Sequence, residues 1–444
     1  MVDWSKLPDL AAVGLLTLAF VSVARFGKTS LSRLWLIGWA MIMVHFAAYG
    51  LLPAPRPWTD LGNFIGTIAL VWAGMLFTWA SVPYRKQISS LWIFLALVGS
   101  STLYLGIWIF DSAPSWDLTL AASLFGALPL GIAVYSLPRF NHPLRWTVIS
   151  LYLALSVFLL AVQFRPQGAD LALNALLFTV YLGCAIHFWY GYPRATAGAF
   201  ITIAGFFAWA CVFVVGPMYQ RFFPSVHLEN EVWNLPKYVV AVGMILLLLE
   251  DQIEHNKYLA LHDELTGLPN RRLFQDRLAS TLERARRSGS QAALLLIDLN
   301  DFKQVNDSVG HHVGDELLKR VGTLFLGRVR RSDTVARTGG DEFSVILEEP
   351  MSRADAARVG KSLSDLVADP FEVNGHTVHI GASVGVAVFP DDAADAESLC
   401  ITADLRMYGV KQASKEQTEE ASRRPFGPTS VPVPSSQPGL RLAE

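Results

Sequence analysis

The 444-residue chain divides into two halves of opposite character. Residues 1–250 carry 22 charged side chains, about 9%, and all 13 tryptophans, whereas residues 251–444 carry 52, about 27%, an ordinary soluble proportion. That partition excludes a secreted disulfide scaffold, a disordered chain and a simple soluble enzyme, and a net charge of −2 without a basic block speaks against nucleic acid as a partner.

Nine apolar runs in the first half read as membrane spans, which need roughly 17–25 residues each. They lie at about 8–24, 34–52, 61–82, 88–110, 118–137, 146–164, 171–190, 199–218 and 236–250. The first is not expected to be a cleaved signal peptide, because Asp3 and Asp9 outnumber the single Lys6 of its lead-in. Loops after spans one, three, five and seven hold Arg25, Lys28, Arg33, Arg85, Lys86, Arg139, Arg145 and Arg194 and no acid. The opposite loops hold five bases diluted by eight acids. The positive-inside rule then puts the N-terminus outside and the C-terminal half in the cytoplasm. No acid or base falls near a bilayer midplane, so a transport pathway is not indicated. The polar residues His45, Asn63, Gln163, Asn174 and His187 read as hydrogen-bonded packing. Trp58, Trp116, Trp146, Trp189 and Trp233, near span ends, read as interfacial belts. Cys184, Cys211 and Cys400 lack CxxC spacing and read as small buried residues.

Span nine continues without Gly or Pro to Gly267, which predicts a helical connector over 251–262. A soluble domain follows at 263–416, and from Gln417 a Pro-, Ser- and Gly-rich tail, 417–444, is expected to be disordered. Within the domain, helices are predicted at 271–287, roughly 312–330, 352–366 and 394–413. A buried strand is predicted at 292–300, a hairpin at 336–347 around Gly339-Gly340, and a strand at 376–389. Alternating strands and helices indicate an α/β or α+β domain on one central sheet.

Its acids occupy unusual places. Asp298 ends an apolar strand, and Asp341 and Glu342 cap the hairpin. Carboxylates at adjoining strand ends repel unless a cation lies between them, and oxygen donors without His or Cys suit Mg²⁺ or Mn²⁺ held with substrate phosphates.

Over about 260–416 the chain resembles the GGDEF family of diguanylate cyclases, through several motifs in order. Asp263-Glu-Leu-Thr266-Gly-Leu-Pro-Asn270-Arg271 resembles the family's opening motif, LLLIDLNDFKQVND (294–307) its metal strand, and GHHVGDELL (310–318) its base-recognition segment. RTGGDEF (337–343) is the namesake, and SVGVAVFP (383–390) with ADLRMYGVK (403–411) resembles the closing strand and helix. The resemblance implies a central, mostly antiparallel sheet of the nucleotidyl-cyclase or palm type behind a multi-pass helical membrane region. It says nothing about residues 1–250, whose stimulus the sequence does not name.

Carried over by position, Asp298, the Leu299 carbonyl, Asp341 and Glu342 resemble ligands of two Mg²⁺ or Mn²⁺ ions, with Asp341 and Glu342 as the catalytic acids. Asn306 and Asp315 resemble the guanine readers, since an acid can accept from guanine N1–H and N2–H₂. Phe302, Lys303 and His311 match positions lining the nucleotide, and Lys411 and Lys415 match the bases that neutralise the triphosphate. The implied reaction joins two GTP into cyclic di-GMP and two pyrophosphates. Each domain holds one GTP, so a homodimer is required, and the setting implied is a bacterial inner membrane.

Arg330 and Asp333 form an RxxD motif with five residues between Asp333 and Gly339, resembling the family's product-inhibition site. The family pattern is broken at the end of the domain, where the last helix reads Val410-Lys411-Gln-Ala-Ser414-Lys415 and Arg406 replaces a small residue. No EAL-type or HD-type hydrolase sequence follows residue 416, so synthesis without hydrolysis is expected. The competing readings are a non-catalytic membrane receptor that binds cyclic di-GMP at RxxD, disfavoured by the retained acids, and a transporter with a regulatory cyclase domain.

Overall fold

The computed structural model describes residues 7–24, 30–50, 58–81, 90–110, 116–136, 143–165, 168–192, 195–226, 228, 230–349 and 352–423. The chain separates into two compact units, residues 1–255 and 256–444.

Among the described residues the first unit is helical, and each predicted span matches one helix. These are α1 (Leu7–Ala24), α2 (Ser30–Gly50), α3 (Trp58–Ala80), α4 (Ser90–Phe110), α5 (Trp116–Ser136), α6 (Pro143–Val162), α7 (Gly168–Gly191), α8 (Ala197–Phe222) and α9 (Asn230–Leu261). Four stretches, 58–80, 168–191, 197–222 and 232–261, are long and apolar enough to cross a membrane, and the other five helices hold shorter apolar segments. The loop bases Arg25, Lys28, Arg85, Lys86, Arg139 and Arg194 lie outside the described residues.

Aromatic rings fill the interior: Trp209 stacks on Tyr181 at 4.0 Å, and the Tyr181 hydroxyl donates to the Leu70 carbonyl at 2.9 Å. Trp58, Trp116, Trp146 and Trp189 are instead exposed, as interfacial residues would be. His45 and His187 each place Nδ1 2.8 Å from a backbone carbonyl, Gly66 and Gly183 respectively. One expectation needs correction. Asp9, read as part of the first span's lead-in, and Lys237, one of the five bases counted with the opposite loops, are buried at 2% and 7% exposure and joined through Asn234. Seven residues into α9, Lys237 is still inside the bundle, because the helix starts at Asn230 rather than near 236.

The second unit begins within the last turns of α9, which continues past the apolar run as the uninterrupted sequence predicts. α10 (Arg271–Ser288) starts at Asn270, whose side chain accepts from the Arg272 and Leu273 N–H groups, and stops at Gly289 in the left-handed region. β1 (Ala292–Asn300) is followed by α11 (Phe302–Val309) and α12 (His311–Arg328). β2 (Thr334–Arg337), β3 (Glu342–Glu348) and α13 (Arg353–Ala368) come next, then β4 (Phe371–Val373), β5 (His376–Val378), β6 (Gly381–Phe389) and α14 (Ala396–Arg423). Four strands form one antiparallel sheet in the order β2-β3-β1-β6, the architecture expected.

Strand alternation sorts the core. Ala293, Leu295, Ile297 and Leu299 of β1 face the layer of α11, α12 and α13, with Leu317, Val321, Phe325, Leu363 and Val367. Ala292 and Leu294 face Phe274, Leu278 and Leu282 of α10 and Leu399 and Ala403 of α14. The Gly385 position on β6 lies so close to α14 that a Cβ would meet the Ala403 carbonyl and the Met407 N–H, so glycine lets that helix seat on the sheet.

Three boundaries differ from expectation. The strand predicted over 376–389 is two strands, because β5 folds back on β4 across Asn374-Gly375, both at positive φ, as a separate two-stranded ribbon. Residues 302–309 form their own helix, set apart from α12 by Gly310 at φ +94°. The tail is not irregular from Gln417: α14 runs to Arg423, since Glu, Ala and Gln favour helix and neither Gly nor Pro intervenes before Pro425. Residues 424–444 lie outside the described residues.

Candidate active site

Period-two alternation puts Asp298 on the α14 face of β1, one residue before the buried Leu299. Its register partners are Glu342 on β3 and Ser383 on β6, so the two acids stand side by side on adjacent antiparallel strands. The Leu299 N–H donates to the Asp341 carbonyl at 3.1 Å, which ties the hairpin tip to the end of β1. Lys411, reaching from α14, donates to Asp298 Oδ1 at 2.6 Å. Asp298, Leu299, Asp341, Glu342 and Lys411 therefore meet at one end of the sheet.

Among the described residues no three His, Cys, Asp or Glu side chains close into a metal cage. The arrangement is an open one of hard oxygen donors, around a carboxylate only 8% exposed that a single ammonium neutralises. A buried carboxylate needs such a countercharge, and a divalent cation would supply it more fully.

A second group lies where α11 meets α12. The Asn306 amide oxygen is buried without a hydrogen-bond partner, and a Cβ on Gly314 would collide with it. The missing side chain leaves room for that acceptor, one helical turn from Phe302, which is also buried. Lys303, His311 and Asp315 are exposed on the same pair of helices. The side chain of Lys415 lies outside the described residues.

RxxD belongs to a different place. Asp333 Oδ1 accepts from the Glu348 N–H at 3.1 Å, at the end of β3 opposite to Glu342. Six residues of strand separate the two points, about 20 Å at ~3.4 Å per residue. Asp333 Oδ2 accepts from the Arg330 N–H at 2.8 Å, closing the turn. Arg330 and Asp333 line a cavity of about 390 Å³ with Arg328, Arg358 and Asp355. The two further arginines were not singled out from the sequence: Arg358 comes from α13, and Arg328, two residues before Arg330, carries no motif of its own.

Reading the sequence also missed two ion-pair arrangements that hold the site. Arg337, just before the hairpin tip, reaches both oxygens of Asp263 at 2.9 and 3.1 Å and donates to the Gly340 carbonyl at 2.7 Å. The opening motif and the hairpin are thereby one structure, a link foreshadowed by Asp263 and Thr266 at turn-capping spacing. Arg406, noted as a departure, contacts both oxygens of Asp392 at 2.8 and 2.9 Å and the Val386 carbonyl at 2.7 Å, so it clamps α14 to β6.

Burial works against the charged form of Asp263, but hydrogen bonds from the Thr266 hydroxyl and N–H and from Arg337 outweigh it and hold its pKa below the usual carboxylate range. A depressed folded-state pKa stabilises the fold above the unfolded value and loses that stabilisation as pH falls through the folded value. Asp263→Asn is expected to destabilise the second unit by about 1.5–3 kcal/mol at pH 7, the range for charge-assisted hydrogen bonds. The gap between variant and wild type should narrow as pH falls below about 4, and denaturant unfolding at pH 7 and at pH 3 checks both points. Equal gaps at the two pH values would remove the pair from the account.

Residues 260–417 match the family described as diguanylate cyclase, GGDEF domain. The chain is 30% identical over 425 residues to MucR of Pseudomonas aeruginosa, a bifunctional diguanylate cyclase/cyclic di-GMP phosphodiesterase, covering 88% of this chain and 56% of that protein. It is 38% identical over 168 residues to the diguanylate cyclase TpbB of the same organism, covering 38% of this chain and 39% of TpbB. The chain thus spans about half or less of the length of these curated relatives. The solved GGDEF domain of TpbB is 39% identical, with 34% of this chain and 89% of that chain covered and a TM-score of 0.34. The second unit of the chain, following a region of apolar helices, is a GGDEF domain of the diguanylate cyclase family.

Proposed function

We propose that the chain is a membrane-bound diguanylate cyclase, condensing two GTP into cyclic di-GMP and two pyrophosphates. The observation that carries this reading is the pairing of Asp298 with Glu342 across neighbouring strands, with Asp341 tethered to Leu299 and Lys411 already drawn in. Asp298, the Leu299 carbonyl, Asp341 and Glu342 would hold two Mg²⁺ or Mn²⁺ ions. Those ions supply a lowered hydroxyl pKa and charge neutralisation at phosphorus. The chain's own residues do the rest. Asn306, whose oxygen lacks a donor among the described residues, and Asp315 accept the N–H edge of guanine, with Phe302, Lys303 and His311 around the nucleotide. Lys411 and Lys415 neutralise the triphosphate. Each domain presents one nucleotide, so two copies face each other, and product returns to Arg330 and Asp333 as an inhibitor.

The assay is direct: full-length protein in lipid nanodiscs, given GTP and Mg²⁺, should release cyclic di-GMP and pyrophosphate in a 1:2 ratio. Binding of cyclic di-GMP without turnover would favour the receptor reading instead.

GTP is found in the cytoplasm, which with the charge bias supports nine crossings, the N-terminus outside and the GGDEF domain within. A reporter active only in the cytoplasm is expected to work after Arg194 or Leu249, and one active only outside after Asp60 or Asp111. The opposite pattern at either pair would overturn this topology.

A further inference from the structure

The last helix of the second unit is seated on the sheet over only part of its length. Leu399 and Ala403 are fully buried, Met407 is 9% exposed, and Gly385 lets the helix backbone close onto β6. From Tyr408 to Ser414 each residue is exposed except Lys411. Lys411 therefore springs from a stretch of α14 that no buried apolar side chain holds.

Just before that stretch, Arg406 supplies a polar anchor. Its guanidinium spans both oxygens of Asp392 at 2.8 and 2.9 Å and donates to the Val386 carbonyl at 2.7 Å. Asp392, with 8% of its side chain exposed, also accepts from Arg353 at 2.7 Å and from the Val388 N–H at 2.8 Å. One carboxylate thus joins the start of α13, the end of β6 and the middle of α14. The hydrogen bonds from Arg406, aided by those from Arg353 and the Val388 N–H, outweigh burial and hold the Asp392 carboxyl well below the usual carboxylate range. A planar guanidinium on two carboxylate oxygens fixes direction as well as distance, which an ammonium does not. Arg406 replaces the small residue of the family pattern, so this anchor belongs to this chain.

We propose that Arg406 is a positioning residue of the nucleotide site, fixing the point on α14 from which Lys411 reaches the triphosphate. The inference rests on the cyclase reading, in which Lys411 neutralises that group. Five residues separate the two, about 7.5 Å at ~1.5 Å per residue. Lys411 meets Asp298 at 2.6 Å, and a slide of α14 by about 1 Å would carry that contact past hydrogen-bonding range. Arg406 acts through the helix alone. The Val386 carbonyl that it holds pairs in register with Leu295, three residues from Asp298, about 10 Å away at ~3.4 Å per residue.

The test uses full-length protein in nanodiscs, with Arg406→Ala, Arg406→Lys, Lys411→Gln and the double variant Arg406→Ala/Lys411→Gln. Arg406→Ala should fold, because Asp392 keeps Arg353 and the Val388 N–H. Calorimetry measures affinity for a GTP analogue with a methylene bridge between its α- and β-phosphorus, which binds with Mg²⁺ but cannot release pyrophosphate. Lys411→Gln should weaken binding roughly tenfold and Arg406→Ala about three- to tenfold, with Arg406→Lys between Arg406→Ala and wild type. The double variant should bind within about twofold of Lys411→Gln, since a residue that acts through Lys411 then has nothing left to position. Losses that multiply in the double variant, or unchanged affinity in Arg406→Ala, would overturn the proposal. Hydrogen exchange without nucleotide tests the anchor apart from the cyclase reading: amides of 408–416 should exchange faster in Arg406→Ala while those of β1 stay as in wild type. Unchanged exchange over 408–416 would overturn the proposal as well. A wild type that does not bind the analogue would refute the nucleotide site itself and this assignment with it, an outcome distinct from failure in the variants alone.

Discussion

Asp298→Asn is expected to lower cyclic di-GMP formation about a thousandfold or more while the domain remains folded. Asparagine keeps the shape of the side chain and removes the charge that, with Glu342 alongside, would hold a divalent ion. Lewis-acid and nucleophile-activating effects amount to several kcal/mol, and about 4 kcal/mol corresponds to a thousandfold at ~1.36 kcal/mol per tenfold. The fold should survive, because Lys411, with 31% of its side chain exposed, can turn to water once its partner is neutral. Asp341→Asn and Glu342→Gln should behave alike. Initial rates with GTP and Mg²⁺, alongside far-ultraviolet circular dichroism, decide the matter. Near-normal turnover in any of the three would mean that the metal acids have been misassigned.

Feedback provides the second large effect. Arg330→Ala should weaken inhibition by cyclic di-GMP roughly ten- to hundredfold, the loss of a charge-assisted contact of about 1.5–3 kcal/mol at ~1.4 kcal/mol per tenfold. Initial rates at low product should hardly change, because the RxxD turn sits at the opposite end of β3 from the acids. Arg330 is the cleaner probe of the pair: Asp333 also holds the turn through two backbone N–H groups, so its removal disturbs structure together with binding. Neighbouring Arg331 could substitute in part, which sets the lower end of the range. Progress curves of Arg330→Ala that bend as early as wild type would reduce RxxD to a turn motif.

What could be read from the chain depended on how locally each feature is encoded. Among the described residues, the apolar runs matched nine helices one to one because hydropathy is a property of contiguous residues. β1 was legible to the residue, since a buried strand bounded by turn residues leaves little freedom. The β4–β5 ribbon was missed although Asn374-Gly375 is a strong hairpin signal, because the strands are three residues long and their neighbours read as one continuous strand. In the site, Asp298 and Glu342 stood out as acids at the ends of apolar segments. The Asp263–Arg337 pair, 74 residues apart, and the Arg406–Asp392 clamp were not legible as contacts, since only the folded sheet brings those segments together. Burial of Asp9 and Lys237 was hidden for the same reason: each looks like a flanking charge until the Asn234 amide is placed between them.

The two residues of RxxD face unequal mutational pressures. Arg330 has an exposed side chain, so drift there would be filtered only through whatever advantage feedback confers. Asp333 is retained by folding itself, through the Arg330 and Glu348 N–H groups that it satisfies. A lineage released from the need to limit its own product would therefore lose the arginine first and keep the aspartate. The surviving acid would then be a relic of architecture, and its presence alone would be poor evidence of regulation.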